Sequence, residues 1–109
     1  MSNLEKYYNS KGEVGVLISP EYGSGWSEQA LNREMRDFLL MDKTLVKWAL
    51  EGASEEEVYS YVENKFDDLV YGWGDVEVRW LAPGTKFRIH KYDGSESIIE
   101  YEKDNYSVA

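Results

Sequence analysis

Val76-Glu77-Val78-Arg79-Trp80, then Ala82-Pro83-Gly84, then Lys86-Phe87-Arg88-Ile89-His90: this succession decides the fold class. Apolar and polar residues alternate with a period of two, which turns one face of a strand inward and the other to water. Ala82-Pro83-Gly84 reads as the turn between two such strands. Asp93-Gly94 signals a hairpin, because both central residues of a type I′ turn take positive φ. The returning strand is expected to point Ser97, Ile99 and Tyr101 inward. Residues 75–102 therefore read as an antiparallel three-strand meander with one buried face.

Toward the N-terminus the period changes to that of helices. Ser54 and Glu57 have the spacing of a capping box. Glu55, Glu56 and Glu57 fall in the first turn, where the helix dipole favours negative charge. Val58, Tyr61, Val62 and Phe66 make the apolar face. This acidic cluster has a structural explanation and is not read as a metal site. Further upstream, Leu31, Met35, Phe38 and Leu39 lie on one helical face, with Ser27 as the expected cap. Asp42 reads as a second N-cap before Leu45, Trp48 and Ala49, and Gly52 as the C′ residue. One helix or two are both compatible with residues 28–52.

Val14-Gly15-Val16-Leu17-Ile18 is a nearly continuous apolar run, as in a strand covered on both faces. Pro20 ends it. The expected fold is α+β: an antiparallel sheet of about four strands, the N-terminal strand plus the meander, with two to three helices packed on one face. A chain of 109 residues makes one domain. Residues 1–11 and 103–109 are expected to be flexible.

Composition excludes several functions. There are no cysteines, so disulfides, thiolate metal sites and cysteine nucleophiles are ruled out. The formal charge is −9, from 21 acidic and 12 basic residues. Direct nucleic-acid binding needs clustered Lys and Arg, so it is not expected; anionic membrane is disfavoured for the same reason. No apolar run is long enough to span a membrane, and residues 1–6 lack a secretory h-region, so a cytoplasmic setting is expected. A protein partner with a basic surface suits the charge. The plainer reading of that charge is solubility.

Catalytic motifs are sparse. His90 is the single histidine, and no G-x-S-x-G elbow is present. Asp67-Asp68, Asp75 with Glu77, and Asp93 with Glu96 each have a role in a helix end, strand start or turn. No cofactor motif and no metal spacing is found, and the expectation is a non-catalytic protein. Lys86, Arg88, His90 and Lys91 gather basic charge on one strand. Ion pairs with Glu77, Glu100 and Glu102 explain it, with a small anion site as the minor alternative.

Against this background one loop stands out: Tyr22-Gly23-Ser24-Gly25-Trp26-Ser27, between a strand and a helix. Convergent N–H groups there suit an anion, and Tyr22 and Trp26 suit stacking on a base or sugar. It is neither a dinucleotide fingerprint nor a P-loop, since Glu28 stands at the third glycine position and no Gly-Lys-Ser/Thr follows. The structural alternative is a tight corner with Trp26 plugging the core. Trp73, flanked by Gly72 and Gly74, is the other candidate contact residue, either packed inward or exposed beside Trp26.

These stretches, Tyr22 to Ser27 together with Trp80-Leu81-Ala82-Pro83-Gly84-Thr85-Lys86-Phe87-Arg88-Ile89 and Tyr92-Asp93-Gly94-Ser95-Glu96, resemble small, largely uncharacterised proteins encoded by phages and prophages. The resemblance implies a mobile-element origin and a bacterial host cytoplasm, and it carries over no catalytic residue. Two functions follow as expectations. One is stoichiometric action on a host protein with a basic surface, as an inhibitor or anti-defence factor. The other is binding of a small anionic or nucleotide ligand, sponge-like, by the Tyr22–Ser27 loop. Homodimerisation through an uncovered sheet edge is compatible with both.

Overall fold

Strand β1, Val14–Ile18, is buried at all five positions. The computed structural model describes residues 4–19, 26–92, 95–100 and 107–109. Side chains alternate across a strand, so β1 feeds two apolar clusters. Leu17 joins Trp26, Met35, Phe38, Leu39, Leu45, Val46, Val58 and Val62. Val14, Val16 and Ile18 join Leu40, Met41, Phe87 and Ala109. The chain is α+β, with three α-helices and antiparallel β-ladders among the described residues.

A 3₁₀ turn, Trp26–Gln29, precedes helix α1, Arg33–Met41. The expected start at Ser27 is not the observed one. Asn32 caps α1 by accepting the Met35 N–H at 2.9 Å. Leu31 therefore lies ahead of the helix, 73% exposed, rather than on its buried face. Asp42 separates α1 from α2, Lys43–Glu51. Its carboxylate accepts the N–H groups of Thr44 and Leu45 and the hydroxyl of Tyr61. Gly52 ends α2 at φ +78°, a left-handed conformation that glycine adopts without steric cost. Helix α3, Glu55–Phe66, starts where expected, with Ser54 Oγ accepting the Glu57 N–H.

Asp42 is buried, and desolvation pushes its carboxyl above the usual aspartate range, opposed by its hydrogen bonds and by Lys65. The folded state thus holds this proton more tightly than the unfolded chain. Its stabilising contribution is complete below the ordinary value of 3.8 and lost as pH rises through the native value. Asp42→Asn keeps a good cap and removes the titration. In urea melts, wild type is expected to gain on the variant as pH falls toward 3.8; parallel pH profiles would contradict this.

After α3 a second 3₁₀ turn, Trp73–Asp75, leads to β2, Glu77–Leu81. Then come β3, Lys86–Tyr92; β4, Ser95–Glu100; and β5, Ser107–Val108. The expected four-stranded sheet is not what forms. β2 pairs antiparallel with β1, Val14 opposite Leu81 and Ile18 opposite Glu77. A separate sheet has the order β4-β3-β5. The edge of β3 that a meander would offer to β2 is occupied by β5, with Lys86 opposite Val108 and Phe87 opposite Ser107. Gly84, at φ +84°, donates its N–H to the Ala109 carbonyl, and Ala109 donates to that of Thr85. β1 contributes to both apolar clusters, Leu17 to the one built mainly by the helices and Val14, Val16 and Ile18 to the one that includes Phe87 of β3.

Three further expectations change. β3 and β4 pair with Tyr92 opposite Ser95, which puts Ile98 opposite Ile89. On β4, Ile98, which was not in the expected inward set, is half-buried against the second cluster; the side chains of Ser97 and Ile99 lie outside the described set. Tyr101 and the turn residues Asp93 and Gly94 lie outside the described residues. The end of the chain, expected to be loose, has Ser107 and Ala109 buried in β5 and its closing turn; 103–106 are outside the described residues. Near the start, Tyr8 bridges Val14, and Tyr7 packs on Trp80 with ring centroids 6.0 Å apart. Among the described residues no helix is long and apolar enough to cross a membrane.

Candidate functional site: an arginine-lined pocket

Trp26 and Trp73 are neighbours, and both face inward. Trp26 is fully buried and donates its indole N–H to the Leu39 carbonyl at 2.6 Å. Trp73, 7% exposed, meets it edge-on at 5.6 Å and donates its own indole N–H to the Ala53 carbonyl. Edge-to-face aromatic packing adds about 0.5–1.5 kcal/mol beyond area burial. The two rings join the turn before α1 to the turn before β2. Tyr22, Gly23, Ser24 and Gly25 lie outside the described residues.

Ser27, the last residue of that loop, is buried and forms part of the wall of a cavity of about 580 Å³. Four elements build this cavity. The 3₁₀ turn brings Ser27, and the link to α1 brings Ala30, Leu31 and Asn32. α1 brings Arg33, Arg36 and Leu40; β3 brings Arg88 and Ile89; β5 brings Ser107. Arg33 and Arg36 share a helix face because residues three apart are neighbours there. Ser107 Oγ donates to Asp37 Oδ1 at 2.6 Å, which ties β5 to α1 across the pocket wall. Gln29 ties the 3₁₀ turn to the segment ahead of β2. Its amide donates to the carbonyls of Trp26 and Tyr71 and accepts the Tyr71 N–H.

Among the described residues, the charged side chains that line this pocket carry the sign opposite to the chain's net charge. The sequence holds 21 acidic residues, yet among the described residues no Asp or Glu lines the cavity. Three of the four arginines in the sequence do. The fourth, Arg79, pairs with Glu77 on its own strand at 2.7 Å. That also corrects the expected pairing of Glu77 with the basic strand, because β2 does not adjoin β3. Guanidinium stays charged at all physiological pH and presents a planar fork of donors matched to carboxylate or phosphate. Arg36 Nε is buried and has no hydrogen-bond partner among the described residues. An unsatisfied buried donor of this kind costs about 1–3 kcal/mol, more when charged, until an acceptor arrives.

A second cavity, about 270 Å³, lies between Leu4, Phe38, Tyr61 and Phe66. Both charge signs line it, and its carboxylate, Asp42, already holds three donors. It supports capping more directly than ligand binding.

Of the residues singled out from sequence, Ser27 and Arg88 reach the larger pocket, while Trp26 and Trp73 pack behind it. His90 and Lys91 have side chains outside the described set. Arg33, Arg36 and Ser107 were not singled out. The usable signal was the Arg-x-x-Arg spacing directly after the glycine loop. Comparison with protein-family models, with curated proteins and with solved structures gives no match.

Proposed function

We propose that this chain is a small binding protein that acts stoichiometrically, and that its ligand is a small anionic molecule held in the arginine pocket. One observation carries this: in a chain of net charge −9, three of four arginines converge on one cavity. Its volume falls in the range of pockets that take drug-sized ligands. The cationic groups lie beside apolar Leu31, Leu40 and Ile89, a combination that fixes both orientation and affinity.

Ala30→Trp, which fills the cavity from the loop ahead of α1, tests the proposal. In thermal melts against a panel of small anions, wild type is expected to rise by roughly 10 °C at a hundredfold excess over Kd. The variant should melt near wild type without ligand and show no rise. An equal ligand response in both proteins would refute the assignment. Capture of a basic protein surface is the second reading, supported by exposed Glu55, Glu56 and Glu57 on α3; salt-sensitive retention of a host protein is its mark. The pocket ranks first because it adds geometry to charge.

A further inference from the structure

The pocket's donors are more numerous and more cationic than a carboxylate needs. A carboxylate brings one charge and two oxygens. A phosphomonoester brings about −1.5 to −2 charges near neutral pH and three strong acceptor oxygens. Arg33 and Arg36 on α1 and Arg88 on β3 approach from two elements, which suits an acceptor group with oxygens pointing in several directions. Ser27 and Ser107 line the same cavity. Among the described residues, the carboxylate of Asp37 is engaged by Ser107 and does not itself line the space.

Volume gives the second constraint. About 580 Å³ is far more than a lone phosphate fills. Apart from Asn32, the remaining wall is apolar, and Leu31 stands 73% exposed at it. Such a leucine is available to cover the body of a ligand.

We propose that the ligand is a phosphomonoester of a flat or apolar body, its phosphate between Arg33, Arg36 and Arg88 and its body along Leu31 and Ile89. Arg36 determines the specificity. Its guanidinium lines the cavity, and a planar fork of this kind engages two phosphate oxygens at once. The inference rests on the pocket reading above and adds the chemical class.

Titration calorimetry on the whole chain tests it, with five probes: 1-naphthyl phosphate, 1-naphthol, adenosine monophosphate, adenosine and inorganic phosphate. At least one organic phosphate is expected to bind ten times more tightly than its dephosphorylated parent and than inorganic phosphate. Arg36→Lys keeps the charge and removes the planar fork; it should weaken that phosphate about tenfold. Arg88→Gln, at an exposed strand position, should weaken it as well, and it serves should the Arg36 variant fail to fold. Leu31→Ser should weaken the organic phosphate and leave inorganic phosphate unchanged. If the parents bind as tightly as the phosphates, the ligand class is wrong while the pocket stands. If Arg36→Lys and Arg88→Gln both bind as wild type does, the phosphate position is wrong. If neither these probes nor any small anion binds, pocket and ligand class fall together.

Discussion

Trp26→Ala is expected to lower the unfolding free energy by about 3–5 kcal/mol, the range for deleting a buried large aromatic. Trp26 is completely buried, touches Trp73 edge-on, and gives its N–H to the Leu39 carbonyl inside α1. Alanine leaves a cavity and removes a donor from a buried carbonyl. A domain of this size has only about 5–15 kcal/mol in total, so a large share of the variant should unfold in mild urea. Urea melts followed by circular dichroism check this. A loss under about 1 kcal/mol would mean that the ring is not a core element. Trp26→Phe separates packing from binding. It keeps most of the volume, loses the hydrogen bond at about 1 kcal/mol, and should retain the ligand response, because the pocket wall begins at Ser27.

The second large effect belongs to the smallest residue in β1. A Cβ on Gly15 would stand 2.6 Å from Val46 Cγ1 and 3.2 Å from the Trp80 ring. Val46 is fully buried in α2 and branched at Cβ, so it has little rotamer freedom with which to yield. Gly15→Ala is therefore expected to cost about 1–3 kcal/mol by overpacking, although glycine in a strand is normally the poorer choice. Val46→Ala vacates the contested space. The double variant should be more stable than the sum of the singles by about 0.5–3 kcal/mol. Strict additivity would show that α2 does not approach β1 this closely.

Both substitutions bear on the pocket through the same scaffold. Trp26 anchors the turn that carries Ser27, and the close approach of α2 at Gly15 lets the helical layer settle on β1. α1 then runs where Arg33 and Arg36 meet Arg88 of β3. The arginines come together because β3 belongs to a second sheet that shares an apolar cluster with β1 and α1 instead of pairing with β2.

Local patterns were informative wherever local physics governs. The capping at Ser54, the break at Asp42, the glycine stop at Gly52 and the all-buried character of Val14–Ile18 follow from side chains acting on their own backbone or from unbroken apolarity. The pairing register of β3 and β4, with Ile98 opposite Ile89, was not legible from alternation alone, because a shift of one residue exchanges the two faces of a strand. The glycine loop was a good pointer to the neighbourhood of the pocket and a poor one to its chemistry. Its tryptophan packs inward, and the cationic wall comes from α1, β3 and β5.

What the amino-acid sequence determined by itself is the class: an acidic, cysteine-free α+β chain with two to three helices, the caps at Asp42 and Ser54 among them, and period-two strands, because capping and periodicity act over a few residues. What only the tertiary structure decided is which strand edges meet and which side chains share a cavity. β5 takes the edge of β3 through a pairing about twenty residues away in sequence, and Ser107 reaches Asp37 across 70 residues. Such contacts depend on which competing edge is filled first in space, and nothing in a local window records that.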